Sequence, residues 1–177
     1  MGRLKARTKV IRDSVSELQY ADDCALVAHT PEDLQLSMTT LCNIYSALGL
    51  VINTEKTEVL YQWCRADTVT PPEIRIDNIA LKITNQFCYL GSILSANCSM
   101  DTEINRRIGK ASAAFANLRK NVIHTHNLRL ATRVAVYRSI CLSVLLYGLE
   151  TATLYRRHLN LLERFHIKCA KEMLGLT

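Results

Sequence analysis

Residues 17–29 read Glu-Leu-Gln-Tyr-Ala-Asp-Asp-Cys-Ala-Leu-Val-Ala-His, two adjacent aspartates between two short runs of strand-forming residues. Glu17 to Ala21 and Cys24 to His29 are expected to be strands joined by a tight acidic turn. Asp-Asp is a poor occupant of a two-residue hairpin loop, which favours Asn-Gly or Asp-Gly, and two like charges side by side repel. A bound divalent cation would compensate that repulsion. Magnesium is the natural candidate, because it takes oxygen ligands and is commonly held by one or two carboxylates plus substrate phosphates. Taken alone, the same pair also reads as a solvent-exposed acidic turn, where the repulsion is weak.

Working outward, Thr30-Pro31-Glu32-Asp33 is a helix start, with Thr30 as N-cap, Pro31 at the first helical position and acids in the first turn. Leu34, Met38, Leu41, Tyr45 and Leu48 then repeat at spacings of four and three, one apolar stripe suited to facing a sheet, and Gly49 is the expected stop. Glu58 to Trp63 resumes strand character, Pro71-Pro72 breaks the chain, and Ile74 to Ile83 predicts a small hairpin turning at Asp77-Asn78. Phe87 to Leu94 predicts another strand or hairpin. From Ser99 onward the pattern is helical. Ile104, Ile108, Ala111, Phe115, Leu118 and Val122 form one stripe, with Arg106, Arg107, Lys110, Arg119 and Lys120 off it. A second helix is expected from about Leu128 to Tyr147. A third is expected from about Arg157 to Leu174, with Leu159, Leu162, Phe165, Cys169 and Met173 inward and Gly175 at its end. The expected fold class is α+β. Residues 1–98 form a mixed part and residues 99–177 a helical part, the change falling near Ala96 to Ser99.

Charge divides along the same line. Residues 1–100 hold 9 Lys/Arg and 11 Asp/Glu, net −2, whereas residues 101–177 hold 13 Lys/Arg and 5 Asp/Glu, net +8. A basic module beside a slightly acidic one is the footprint of a nucleic-acid grip, and equally of a solvated basic helical surface. The seven cysteines (Cys24, Cys42, Cys64, Cys88, Cys98, Cys141 and Cys169) include no C-x-x-C pair and follow no secretory leader. They read as reduced thiols of an intracellular, non-secreted protein. His158, His166 and Cys169 could be drawn as a metal cluster, but their spacing beside an apolar stripe favours packing and surface roles. The most apolar stretch, Ile140 to Leu149, is about half the length a bilayer requires and suits a buried helix; no membrane partner is expected.

Tyr20-Ala21-Asp22-Asp23 between apolar strands and before a helix resembles the motif C hairpin of reverse transcriptases. Gly49 to Leu60 (GLVINTEKTEVL) resembles their motif D, and Phe87 to Leu94 (FCYLGSIL) resembles motif E, the primer-grip hairpin. Arg106 to Val122 and Val136 to Leu176 resemble the thumb and following helices of non-LTR retrotransposon polymerases, of the endonuclease-bearing LINE type. The resemblance runs from about Lys5 to Leu176, and the order YADD, motif D, YLGS and the LLYG-E-T block makes it specific. It implies a partial polymerase palm (antiparallel hairpin, helix, small hairpins) followed by a thumb-like helical bundle. In that family the activity is RNA-directed DNA synthesis from a deoxynucleotide on an RNA template and DNA primer.

The resemblance also implies roles. Asp22 and Asp23 would help hold two Mg2+ ions, one activating the primer 3′-hydroxyl and the other stabilising the leaving pyrophosphate. Tyr20 and Ala21 would lie under the primer end and nucleotide. Lys56 would meet the triphosphate and donate a proton to pyrophosphate, or be a solvated loop lysine. Tyr89, Leu90, Gly91 and Ser92 would press on the primer backbone, or form a plain structural hairpin. Arg106, Arg107, Lys110, Arg119 and Lys120 would contact phosphates.

One departure is Ala152, where the family usually has Trp after the LLYG-E-T block. Another concerns the family's third carboxylate, on motif A, and the glycine-bearing motif B, both of which precede YADD. Only 19 residues precede Tyr20 here, and Lys5 to Asp13 resembles the strand just ahead of motif C. Asp13 and Glu17 are acids on the chain leading into the hairpin and are poor substitutes for that third ligand. The expectation is therefore a fragment that is inactive alone, with an edge strand left open for a palm and fingers segment.

Overall fold

A computed structural model describes residues 15–62, 71–125 and 127–176. The architecture is α+β: short antiparallel hairpins and small two-stranded sheets, then helices. The chain divides into two compact units, the first closing at Ile83 and the main body of the second opening at Thr84.

In the first unit, β1 (Glu17–Tyr20) pairs antiparallel with β2 (Asp23–Leu26), in the register Glu17↔Leu26 to Tyr20↔Asp23. The strands end closer to the tip than the apolar runs suggested. A two-residue loop closes only if Tyr20 faces Asp23, which leaves Ala21 and Asp22 in the turn and Val27 to His29 beyond the strand. Helix α1 (Pro31–Ala47) starts as its sequence dictates, with the Thr30 hydroxyl accepting from the Asp33 amide at 3.1 Å. It closes through Gly49 N to Ser46 O and Leu50 N to Tyr45 O, the paired bonds of a helix C-terminus. Of the expected stripe, Met38 is buried and Leu34, Leu41 and Tyr45 are half-buried. Leu48 is exposed, because it lies past the last helical residue and the helical period no longer places it.

β3 (Glu58–Leu60) pairs with β6 (Lys82–Thr84), and Trp63 lies outside the described residues. β4 (Arg75–Ile76) and β5 (Ile79–Ala80) form the hairpin expected at Asp77-Asn78, whose positive φ values of 45° and 72° match the favoured two-residue turn. The Gln35 amide fixes this hairpin to α1, donating to the Arg75 carbonyl at 2.9 Å and accepting from the Arg75 amide at 2.8 Å. Met38, Val59, Ile74, Ile76 and Leu81 form a small core, with Leu26, Leu34, Cys42 and Ile52 against it.

In the second unit, β7 (Gln86–Tyr89) and β8 (Ser92–Ser95) make a hairpin. α2 (Asp101–Leu118) follows and runs into a π-helical turn at Arg119–Ile123. The single helix expected from about Leu128 to Tyr147 is α3 (Leu130–Tyr137), a π turn (Arg138–Leu142) and α4 (Ser143–Leu146). Tyr137, Cys141 and Leu145 are all buried at spacings of four. The wider π turn keeps such a series in line where a regular helix would rotate it away. Of the apolar stretch from Ile140 to Leu149, only one face is buried; Ile140 and Leu146 are exposed.

A short 3-10 turn (Leu149–Thr151) leads to α5 (Arg156–Leu174). Phe115, Ile123, Tyr137, Cys141, Cys169 and Met173 form one core, and Ile104, Ala111, Leu145, Leu149 and Leu162 a second. Each fully buried aliphatic side chain contributes about 1.5–3 kcal/mol. Burial, with Cys141 as a neighbour, pushes the Cys169 thiol up to about 11. Leu159, expected inward, is exposed, and His158 takes the buried position beside it. His158 tolerates full burial because both ring nitrogens are matched. The Tyr155 amide reaches Nδ1 at 3.3 Å, and Nε2 meets the Asp101 carboxylate at 2.9 Å. His166 Nδ1 instead meets the Tyr137 hydroxyl at 3.0 Å, the group to which Cys169 also bonds, so His158 serves a different partner from the other two, and no metal-holding group of three forms among the described residues.

Candidate functional site

Asp22 and Asp23 sit at the tip of the β1–β2 hairpin, and Tyr20, Ala21, Asp22 and Asp23 are all exposed. Ala21 takes φ of +53°, a left-handed conformation that costs a non-glycine residue about 1–2 kcal/mol. Strand alternation puts Tyr20, Asp23, Leu18 and Ala25 on one face and Cys24 and Leu26 on the other. Leu26 packs into the core, so Tyr20 and Asp23 belong to the opposite face. The donors are carboxylate oxygens, which suit magnesium, yet no group of three or more His, Cys, Asp or Glu gathers as a metal site among the described residues. Glu17 cannot complete the tip, since it pairs with Leu26 three residues from Tyr20, about 10 Å along the strand. Asp13, with the rest of Lys5 to Asp13, lies outside the described residues. The fit to a metal is therefore partial.

Lys56 is exposed on the loop before β3. Asn53 shapes that loop: its side-chain oxygen accepts from the Glu55 amide at 3.0 Å and the Lys56 amide at 3.1 Å.

Tyr89, Leu90, Gly91 and Ser92 form the β7–β8 turn. Leu90 and Gly91 have φ of +47° and +80°, so Gly91 is at ease and Leu90 is not. The turn is held from behind by α2. The Gly91 carbonyl accepts from Arg106 Nη1 at 2.9 Å and from Arg107 Nη2 at 2.8 Å. Arg107 Nη2 also reaches the Ser92 hydroxyl at 3.2 Å, while its Nε binds the Glu103 carboxylate. The other Glu103 oxygen accepts from the Ile93 amide at 2.9 Å. Glu103 is 2% exposed and Arg107 4%. Tyr147 completes the arrangement, its hydroxyl donating to the Leu90 carbonyl at 3.2 Å and its ring lying 4.8 Å from the Arg107 guanidinium carbon. Next to it, Gly148 has φ of +71°, and a β-carbon there would come 3.0 Å from the Ser92 hydroxyl.

The five basic residues singled out by sequence therefore divide. Arg107 is buried and engaged, and Arg106 is half-buried against the turn and also near Cys88 Sγ at 3.7 Å. Lys110 and Lys120 are exposed. Arg119 is exposed and paired with Glu172, whose partial burial raises its pKa but whose bonds to Arg119 and His124 leave it below the usual range. Two further features lie outside the residues singled out by sequence. Glu103 gives no local signal, and Tyr147 shows only as part of the LLYG-E-T block, since their partner is a turn distant in sequence. Arg164, Lys168 and Lys171 line a shallow cavity of about 530 Å³ with Ile167, Glu172 and Leu176, and their spacing along α5 could have marked them as one basic face.

No protein-family model matches the chain, and no solved structure matches it. The chain is 27% identical over 168 residues, 93% of its length, to an uncharacterized transposon-derived protein of Caenorhabditis elegans. The match spans 58% of that protein. This likeness supports a transposon-related origin.

Among the described residues no helix is long and apolar enough to cross a membrane.

Proposed function

We propose that the chain carries part of the palm and the thumb of a non-LTR retrotransposon reverse transcriptase, an RNA-directed DNA polymerase, and grips an RNA template paired with a DNA primer. The supporting observation is the order of four motifs on suitable elements. YADD caps a hairpin that precedes a helix, the motif D lysine follows that helix on a loop, YLGS forms a second hairpin, and LLYG-E-T ends a helix packed beside it. The transposon-derived relative is in keeping with this reading. In it, Asp22 and Asp23 provide part of a magnesium site, Tyr20 and Ala21 support the primer end and deoxynucleotide, and Lys56 meets the triphosphate. Tyr89 to Ser92 press on the primer, while Lys110, Arg119 and Lys120 contact phosphates. When bound, magnesium supplies charge neutralisation at the phosphates; two carboxylates alone leave its site incomplete.

A second reading is a nucleic-acid-binding module without catalysis, favoured by the exposed basic face of Arg164, Lys168 and Lys171. Primer extension by the purified chain with magnesium and deoxynucleotides, beside Asp22→Ala/Asp23→Ala, tests for catalysis, and Lys168→Ala/Lys171→Ala, expected to abolish hybrid binding only in the second reading, separates the two. The polymerase-part reading expects salt-sensitive binding of the RNA–DNA hybrid and no extension by the chain unaided. Extension by the wild type that the double substitution abolishes would show a complete site. A chain that binds no hybrid even at low salt would overturn both readings.

A further inference from the structure

We propose that Glu103, Arg107 and Tyr147 are positioning residues for the Tyr89–Ser92 turn, shaping it from behind for a nucleic-acid strand rather than touching phosphates themselves. The inference rests on reading that hairpin as a primer grip, and it changes what the basic residues of α2 are for. Arg107 is 4% exposed, and its guanidinium is committed to the Gly91 carbonyl, the Ser92 hydroxyl and the Glu103 carboxylate. A side chain so buried, with Nε and Nη2 both engaged, is poorly placed to meet a phosphate. The turn in turn needs outside support, because Leu90 at φ of +47° is strained.

Four side chains meet that need. Arg106 and Arg107 cap the Gly91 carbonyl, Tyr147 caps the Leu90 carbonyl, and Glu103 fixes the Ile93 amide just past the turn. Glu103 also neutralises the guanidinium of Arg107, so the pair enters the interior as a matched unit. The arrangement depends on shape. Arginine's planar fork reaches two acceptors and the carboxylate together, which a lysine ammonium cannot reproduce.

Arg107→Lys, Tyr147→Phe and Lys110→Ala distinguish positioning from phosphate contact when each full-length chain is titrated against an RNA–DNA hybrid at several salt concentrations. Folding is checked by circular dichroism, and Arg107→Lys keeps a counter-charge for Glu103. Arg107→Lys and Tyr147→Phe are each expected to weaken binding several-fold, and Arg107→Gln, which removes the charge, to do so without changing the slope of log K against log salt; a fall in slope of roughly 0.7–0.9 in Arg107→Gln would overturn the inference. Lys110→Ala is expected to lower that slope by roughly 0.7–0.9, the signature of one lost phosphate contact. Full retention of affinity by Arg107→Lys, or an unchanged affinity in Tyr147→Phe, would overturn the inference while leaving the primer-grip reading standing. A wild-type chain that binds no hybrid would overturn that reading and the inference with it.

Discussion

The hairpin tip at Tyr20–Asp23 and the turn at Tyr89–Ser92 have loops of the same length, and each places a non-glycine first loop residue at positive φ (Ala21 at 53°, Leu90 at 47°), the second adding Gly91 at 80°. They are supported in opposite ways. The second is fastened by Glu103, Arg106, Arg107 and Tyr147, with two of those four buried. The first presents four exposed residues, two of them carboxylates that repel each other. A strained turn fixed by its own protein serves as a rigid surface. The first turn's exposed carboxylates gather no third metal-binding group among the described residues.

That contrast can be broken by substitution. Glu103→Ala should have the largest effect, about 3–5 kcal/mol of lost stability in urea denaturation, because it leaves Arg107 buried without its counter-charge. A loss under 1 kcal/mol would show that the second turn is not held as described. Gly148→Ala should cost about 1–2 kcal/mol, since alanine must adopt φ of +71° and its methyl would crowd the Ser92 hydroxyl.

The helical unit also has a pH signature. Ser99 and His158 hold the Asp101 carboxyl below the ordinary aspartate range. A lowered folded-state pKa gives stability that is present above the unfolded value, about 3.9, and is lost as the pH falls through the folded value. Asp101→Asn should therefore melt below the wild type at pH 6, with the deficit shrinking as the solution is acidified below pH 4. Asp22→Ala/Asp23→Ala should change stability least, within about 0.5 kcal/mol without ligand, because both residues are exposed. A large loss there would mean that the acidic tip is structural.

How far the sequence reaches follows the range of each signal. The start and stop of α1, the Asp77-Asn78 turn and the inward stripe of α2 depend on neighbours a few residues away, and all were readable. The π turns were not, because apolar spacing alone does not distinguish an underwound turn from a regular one. By apolar spacing Leu159 fits the inward stripe better than His158, because burying a histidine requires Asp101, which lies 57 residues away. For the candidate site, the acidic tip and YLGS announced themselves as motifs. The support behind YLGS did not, since Arg107 looks like any surface cation of an amphipathic helix until Glu103 and the turn are seen around it.

Hydrogen exchange of the full chain, with and without an RNA-template/DNA-primer hybrid, tests the account most directly. Without the hybrid, the Tyr20–Asp23 tip should exchange rapidly and the Ile93 amide, held by Glu103, slowly. On adding hybrid, the Tyr20–Asp23 and Tyr89–Ser92 segments should both gain protection. Binding that leaves both hairpins unchanged would contradict the assignment of this chain to the primer-gripping part of a polymerase.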